Sequence, residues 1–489
     1  MRVAIVGAGL GGLSAACHLA PHHDVVVLER GEVPGGRAGV LEADGYRIDT
    51  GPTVLTMVDL LAETFAAAGA DIADHLELVP VDPMYRACFA DGSEIRVRHG
   101  REAMTAEIRD TCGATEARSF GRFCDYLTEL YQLERPNFID RNFDSVAELA
   151  WPPGPAVRLV RLGGFRKLSA VVASYFEDYR LQRLFSFQSM YAGLSPFEAL
   201  ALYCVITYMD TVQGVFFPKG GIHAVPRGLA AAASAAGAEL RYGASVDGVV
   251  RSADGRATGV RLEGGEVVDA DAVVLNPDLP VAYAELLRPL PAPRAARRGR
   301  YSPSCATWVA GVRGEVPAEA EHHNIHFGTA WESSFEALMD RGVLMDDPSM
   351  LVTVPTTSDP SLAPPGGQVV YVLEPTPNLD GKVDWARERP VLRERMLARV
   401  ADLGYPVSDV VVERFVDPTD WERQGMARGT PFALAHTFFQ TGPFRPPNVD
   451  SRLPGVVFVG SSTVPGVGVP MVLLSGRLAA ERVRALASG

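Results

Sequence analysis

Val3-Ala4-Ile5-Val6-Gly7-Ala8-Gly9-Leu10-Gly11-Gly12-Leu13 decides how this chain is read. Val3 to Val6 is a short apolar run with the pattern of a buried strand. It enters a G-x-G-x-x-G turn built on Gly7, Gly9 and Gly12. Small residues follow from Leu13 to Ala20, as in a closely packed helix. A second apolar strand, Val25 to Leu28, ends in Glu29. The order strand, glycine turn, helix, strand, acid is that of a dinucleotide-binding unit. Gly7 permits the tight turn, Gly9 lets the backbone approach a pyrophosphate, and Gly12 lets the helix lie close to the strand. The pyrophosphate belongs at the helix N-terminus, where free N–H groups and the dipole favour an anion. Glu29 is placed to accept hydrogen bonds from the adenosine ribose.

NAD and FAD share the adenosine end, so this unit does not separate them. The next residues favour a flavin. In Pro34-Gly35-Gly36-Arg37-Ala38-Gly39 two adjacent glycines let the chain pass close to the cofactor. Arg37 can meet a diphosphate with a planar fork of donors. Tyr46 to Asp49 then reads as a strand that ends in the rigid turn Thr50-Gly51-Pro52-Thr53.

These three pieces, G-x-G-x-x-G, G-G-R and D-x-G-P-T, resemble the flavin-dependent amine oxidase superfamily. The far end of the chain, Gly455-Val-Val-Phe-Val-Gly-Ser-Ser-Thr-Val-Pro-Gly-Val-Gly-Val-Pro-Met-Val-Leu-Leu-Ser-Gly-Arg477, resembles the C-terminal signature of the bacterial phytoene desaturase (carotenoid desaturase) family. Pro80 to Arg86, Phe185 to Ser189, Phe217 to Gly221, Tyr301 to Ser304, His322 to Ile325 and Ala435 to Gly442 are similar to it as well. The resemblance covers nearly the whole chain. It implies an α/β protein: a Rossmann-like FAD-binding domain of the amine-oxidase type, interleaved with an α+β substrate and membrane-docking domain. The expected division is 1–85, 215–280 and 431–489 for FAD binding, and 86–214 and 281–430 for the substrate domain.

The cofactor residues expected from motif and resemblance are Gly7, Gly9, Gly12, Glu29, Arg37, Gly51, Pro52 and Thr53 in the first segment. Val246 is expected at the adenine through its backbone. Gly460, Gly468, Val469 and Met471 are expected beside the flavin ring, where backbone N–H groups and a helix N-terminus favour the electron-rich edge of reduced flavin. The family often has an Ala-Gly pair and a His where this chain has Ser461, Ser462 and Val464. That departure leaves the side-chain contacts of this turn open.

Composition sets outer bounds. With 489 residues, 47% of them apolar, and a mean hydropathy of +0.06, the chain can form two or three domains with a large core. No apolar run reaches the roughly 18–20 residues needed to span a bilayer. The first strand begins almost at the N-terminus, without the pattern of a signal peptide. The expected location is the cytoplasm, peripherally on the inner face of the cell membrane. Six cysteines without a Cys-x-x-Cys read as reduced and mostly buried. A formal charge of −13 argues against nucleic acid.

Along the chain, Asp59 to Gly69 reads as an amphipathic helix, and Arg86 to Arg98 as a hairpin around Asp91-Gly92. Residues from about 100 to 214 read as helical, with aromatics at helical spacing. An alanine-rich helix up to Gly237 precedes strands from Glu239 to Asn276, turning at Asp254-Gly255 and Gly264-Gly265. From 281 to 430 the pattern is one of proline turns and Ala/Arg-rich helices. Between Glu148 and Glu177 there is no acidic residue. Arg158, Arg161, Arg166 and Lys167 are interleaved there with Trp151, Val160 and Phe165. On an acidic protein this local inversion suits an anionic membrane surface. Arg294 to Arg300 is a second basic run.

No G-x-S-x-G elbow is present, and no metal site is expected. His322, His323 and His326 lack a partner pattern. Asp417, Asp420 and Glu422 around Trp421 read as a surface loop ahead of a catalytic base. There is no second G-x-G-x-x-G unit, so electrons are expected to leave to a quinone or oxygen. The resemblance implies desaturation of phytoene toward lycopene. Hydride is lost to the flavin, the allylic cation spreads over several carbons, and a neighbouring proton leaves. The protein aligns the C–C bond and excludes water. Alternatives are a dehydrosqualene or hydroxylated-carotenoid desaturase, a carotenoid isomerase, an amine oxidase, and a non-catalytic prenyl-lipid carrier.

Overall fold

The computed structural model describes residues 1–149 and 151–488. The strand Arg2–Val6 pairs in parallel with Asp24–Leu28 on one side and Ala272–Leu275 on the other. Glu239–Arg241 extends the first edge and Val456–Phe458 the second, also in parallel. The result is a five-stranded sheet drawn from three distant parts of the chain. Its central strands are buried on both faces, which explains their unbroken apolar runs. One face carries helix Leu10–Leu19, which packs on the last helix, Val469–Ser488. Small residues set that contact. A Cβ on Gly476 would lie 2.5 Å from the Ser14 side chain, and Ser14 Oγ donates to the Leu473 carbonyl at 2.6 Å. The two ends of the chain therefore meet under the glycine turn.

The hairpin Val40–Ala43/Tyr46–Asp49 and helix Val58–Ala67 follow the first unit. The three antiparallel strands Val246–Arg251, Ala257–Leu262 and Val267–Asp269 turn at Gly255 and at Gly264-Gly265, all with positive φ. Helix Ala224–Ala235 is the alanine-rich one.

A second sheet has seven strands, in the order Val410–Val416, Ser304–Arg313, Gly367–Thr376, Met350–Thr353, His323–His326, Tyr85–Cys88 and Glu94–Val97. Every pairing is antiparallel except that of His323–His326 with Tyr85–Cys88. The expected hairpin around Asp91-Gly92 is thus the edge of a sheet completed by residues 304–416. Position 85/86 falls inside one of its strands. Helices Arg101–Cys112 and Ala114–Glu134 begin the helical part, and Pro153–Arg161 and Leu168–Tyr175 continue it.

Sequence reading of 281–430 missed most of this sheet. Strand Ser304–Arg313 is buried at every residue but the last, so it has no polar alternation to read. Helix Trp385–Asp402 is the long helix that the Arg-rich pattern announced. Among the described residues, no helix is long and apolar enough to cross a membrane.

Candidate active site

The glycine turn is built by close approach. Gly7 has φ +100°, and a Cβ on Gly12 would collide with the Gly7 carbonyl oxygen. Gly9 is the extended N-cap of helix Leu10–Leu19, which has no side-chain cap and no acid in its first turn. Asn276 Oδ1 takes the Gly12 N–H of this turn, and the dipole at the helix end still favours an anion. Gly9 bridges to Gly35, and a Cβ on Gly36 would stand 3.3 Å from the Gly9 Cα. Two glycine segments thus lie back to back. Glu29, at the end of its strand, accepts from Ala8 N at 2.7 Å and Gly31 N at 2.8 Å. Its remaining lone pairs can serve ribose hydroxyls.

Arg37 is held by groups far along the chain. Its Nη2 lies 2.8 Å from Asp278 Oδ2, and its Nη1 donates to Ser461 Oγ. Asp278 also accepts from Ser462 Oγ at 3.0 Å and Ala427 N at 3.1 Å. The two serines that depart from the family pattern are therefore the ones that bind this ion pair. Arg445 is 1% exposed and donates to the carbonyls of Ser461, Thr463, Leu434 and Gln440. Burial pushes its pKa down to about 10. It fixes the path of the C-terminal glycine turn. Asn276 Oδ1 accepts from Gly12 N at 2.8 Å. Asp49 accepts from Ile222 N and His223 N, and burial raises its pKa to about 6.

Gly7, Gly9, Glu29, Arg37, Gly51, Pro52, Thr53, Val246, Gly460, Gly468, Val469 and Met471 all line one cavity of about 1370 Å³. Gly12 lies behind the wall as a packing position. The cavity exceeds the roughly 300–1,000 Å³ of a cleft for one drug-sized ligand. A helix N-terminus without an acid, back-to-back glycines and an acid at the strand end fit a flavin dinucleotide, with space left for a second molecule.

The remaining space is apolar and aromatic. Tyr85, Phe187, Tyr191 and Phe327 line it, with Phe187 edge-on to the other three at centroid distances of 6.0–6.2 Å. Two buried carboxyl groups, Glu134 and Asp210, belong to the same wall. Burial holds the Glu134 pKa well above the usual carboxylate range. Farther out, Val160, Phe165 and Phe438 line the cavity and are 61%, 44% and 40% exposed. Phe438 contacts Phe165, Phe439 and Phe444. Here the cavity meets the surface, beside exposed Phe439.

The profile described as flavin containing amine oxidoreductase matches residues 10–484. The chain belongs to that family. It is a flavin-dependent oxidoreductase. A phytoene dehydrogenase of Streptomyces griseus is 49% identical over 99% of this chain and 95% of its own length. A zeta-carotene-forming phytoene desaturase of Myxococcus xanthus is 39% identical, covering 99% and 93%. A lycopene-forming phytoene desaturase of Pseudescherichia vulneris is 33% identical, covering 98% of each. An oxidoreductase from Methanosarcina mazei aligns with a TM-score of 0.62 at 18% identity, over 98% of this chain and 100% of that one. A putrescine oxidase aligns at 0.61 and 16%, over the whole of both chains. The solved structures share the Rossmann-like α/β fold, and the sequence relatives add resemblance to carotenoid desaturases.

One expectation needs correction. Asp417 does not lie in a surface loop. It is fully buried and caps helix Pro418–Arg423 in a capping box with Asp420. Arg389 pairs with both carboxylates. Trp421 is buried, with its indole N–H on the Cys305 carbonyl. His322 meets Ser358 and His326 meets Tyr405. His323 sits between the carbonyls of Met84 and Thr53, and burial lowers its pKa to about 4. All six cysteines are free, four of them buried.

Asn276, Asp278, Arg445 and Asp210 are site residues that sequence reading missed. Asn276-Pro277-Asp278 follows a fully buried strand directly. The end of a parallel strand is where ligands of such sheets bind, so that signal was legible. Arg445 and Asp210 stood in segments with no motif of their own.

Proposed function

We propose that this protein introduces double bonds into phytoene, toward lycopene, using FAD as the hydride acceptor. The observation that carries this reading is the single cavity that joins a dinucleotide cradle to a long aromatic chamber. The three relatives named for phytoene support the substrate class. Bound FAD would supply two-electron oxidation at carbon. Gly9 and the helix N-terminus would hold its pyrophosphate, and Glu29 its ribose. Gly460, Gly468, Val469 and Met471 would flank the ring, with Gly51, Pro52 and Thr53 on the first-segment side, Val246 at the adenine and Gly12 as the close-packing position. The aromatic wall excludes water and orients an extended apolar chain. Its ring faces favour positive charge that develops on the substrate carbons.

The division into FAD-binding segments 1–85, 215–280 and 431–489 and substrate segments 86–214 and 281–430 belongs to the same proposal. The five-stranded sheet, drawn from all three FAD segments, supports it. So does the lining of the cavity, which draws residues from that sheet and from the seven-stranded one.

The outer mouth belongs to a membrane-docking face in this reading. Phe165 and Phe438, with Phe439 beside them, present apolar surface next to exposed Arg161 and Arg166. Lys167 Nζ reaches the Glu198 carbonyl, and Arg300 pairs with the Glu198 carboxylate, so the two basic runs adjoin. A substrate dissolved in the bilayer could then enter without crossing water. A membrane quinone, or oxygen, would accept the electrons.

The test is product analysis. The FAD-loaded protein is given phytoene in liposomes with a quinone, and the extract is separated with absorbance detection. Lycopene or partly desaturated products are expected, and their mixture gives the number of steps. Recovery of unchanged phytoene with flavin bound would overturn the reading.

A further inference from the structure

Asp210 is the second buried carboxyl group of the chamber, and its surroundings differ from those of Glu134. It lies in the helical turn Tyr208–Val212 and is 2% exposed. Its Oδ2 accepts from the Tyr85 hydroxyl at 3.0 Å. Its Oδ1 has no hydrogen-bond partner among the described residues. The Tyr191 hydroxyl approaches that of Tyr85. Tyr191 is 39% exposed, and it lines the chamber. Both tyrosine rings lie edge-on to Phe187, which holds them in register. The three groups form a line from the cavity surface to a buried acceptor with a vacant lone pair.

The line also runs close to the flavin side. Tyr85 packs on His323 at a centroid distance of 5.4 Å, and His323 Nε2 lies 3.1 Å from the carbonyl of Thr53, in the D-x-G-P-T turn. The same aromatic rings that would face a cationic carbon therefore flank the start of the line.

We propose that Tyr191, Tyr85 and Asp210 form the relay that takes the proton in the second half of the desaturation. This rests on the functional reading above. After hydride leaves the substrate for oxidised flavin, the carbon skeleton is an allylic cation. The C–H bond on the adjacent carbon breaks, and its electron pair becomes the new π bond. The proton passes to the Tyr191 oxygen as the Tyr191 hydroxyl proton moves to Tyr85 and the Tyr85 proton moves to Asp210. Hydroxyl hydrogens rotate to suit both directions of this chain. The net change is one hydride on flavin and one proton on Asp210. A quinone then reoxidises the flavin. Tyr191 is the catalytic residue that meets the substrate, and Asp210 is the terminal acceptor behind it.

Other groups facing Asp210 are few. Gln188 and Tyr191 come from the turn Phe187–Ala192, Tyr85 from the sheet, and His323 stands behind Tyr85. Burial raises the Asp210 pKa to about 7, against the hydrogen bond from Tyr85, which lowers it. An acceptor must be ionised before it takes a proton. The rate should therefore climb with pH through neutrality and level off above it.

The experiment compares wild type, Asp210→Asn, Asp210→Glu and Tyr191→Phe as flavin-loaded proteins with phytoene in liposomes and a quinone. Asp210→Asn and Tyr191→Phe should each keep their flavin and lose about a hundredfold in rate, in the range of general-base catalysis. Asp210→Glu should recover part of that loss. The rise through neutral pH should vanish in Asp210→Asn. Independently of turnover, infrared titrations of the flavin-loaded proteins should find a protonated carboxyl that ionises near pH 7 in wild type and is missing in Asp210→Asn, while the Asp49 carboxyl, which ionises nearer pH 6, is common to both. Full rates with the wild-type pH profile in both Asp210→Asn and Tyr191→Phe would overturn the relay and leave the desaturase reading standing. So would the absence of that carboxyl band in wild type. A wild type that makes no desaturated product overturns the functional reading, and the relay with it.

Discussion

The two ends of the cavity are built on opposite plans. The cofactor end is made by backbone. Glycines approach to van der Waals contact, a glycine stands at the N-cap of the first helix, and a Cβ at Gly51 would overlap the Arg37 carbonyl. The outer end is made by side chains that stay partly exposed, with Phe165, Phe438 and Phe444 clustered from two distant segments. The first plan tolerates almost no added atom. The second tolerates exchange of one apolar group for another, because a lipid-facing or substrate-facing surface needs area more than shape. Between the ends, Arg37 and Asp278 tie the first glycine segment to the last.

The sharpest break in this contrast is at Gly12. A Gly12→Val substitution forces the helix away from the Gly7 carbonyl. The purified variant should carry essentially no flavin, read from its visible absorbance, and any variant with wild-type flavin content would contradict the packing role given to Gly12. The outer end should respond less absolutely. Fully burying a Phe side chain contributes about 1.5–3 kcal/mol. Replacing Phe438 and Phe439 together by Ser should weaken vesicle binding roughly tenfold or more while flavin content stays unchanged. Flotation at wild-type levels would remove these rings from the docking face. Charge should matter least and selectively. A basic side chain near an anionic surface contributes about 1 kcal/mol. Arg161→Gln should therefore cost roughly fivefold in binding to anionic vesicles and little in neutral ones. Arg158→Gln should cost less, because Glu129 already pairs with Arg158 at 2.8 Å. Equal effects of the two substitutions would mean that this ion pair opens at the membrane.

The same contrast separates what could be read in advance from what could not. The Rossmann half was legible because its information is local. Gly7, Gly9, Gly12 and Glu29 lie within one βαβ unit, and strand and turn spacing fix their relative positions. The hairpin at Asp91-Gly92 was legible for the same reason. The strand Ser304–Arg313 was not, because burial on both faces erased its period. Asp417 looked like part of an exposed acidic cluster. Its partner Arg389 lies on a helix almost thirty residues away, and only that meeting makes it a buried cap.

The order of motifs determined that this chain begins with a dinucleotide-binding unit and returns to its sheet twice. Short-range steric rules for glycine and helix ends leave few other outcomes for those segments. Which residues complete the site was decided by the tertiary structure. Arg37 with Asp278 and Ser461, and Tyr85 with Asp210, join positions separated by 125 to 424 residues. Burial at those junctions then sets their chemistry: a carboxyl that would be an ordinary surface acid becomes, once enclosed, a group poised near neutrality. Pattern along the chain carries steric information well. Desolvation depends on every neighbour in space, and that is known only when the chain has closed on itself.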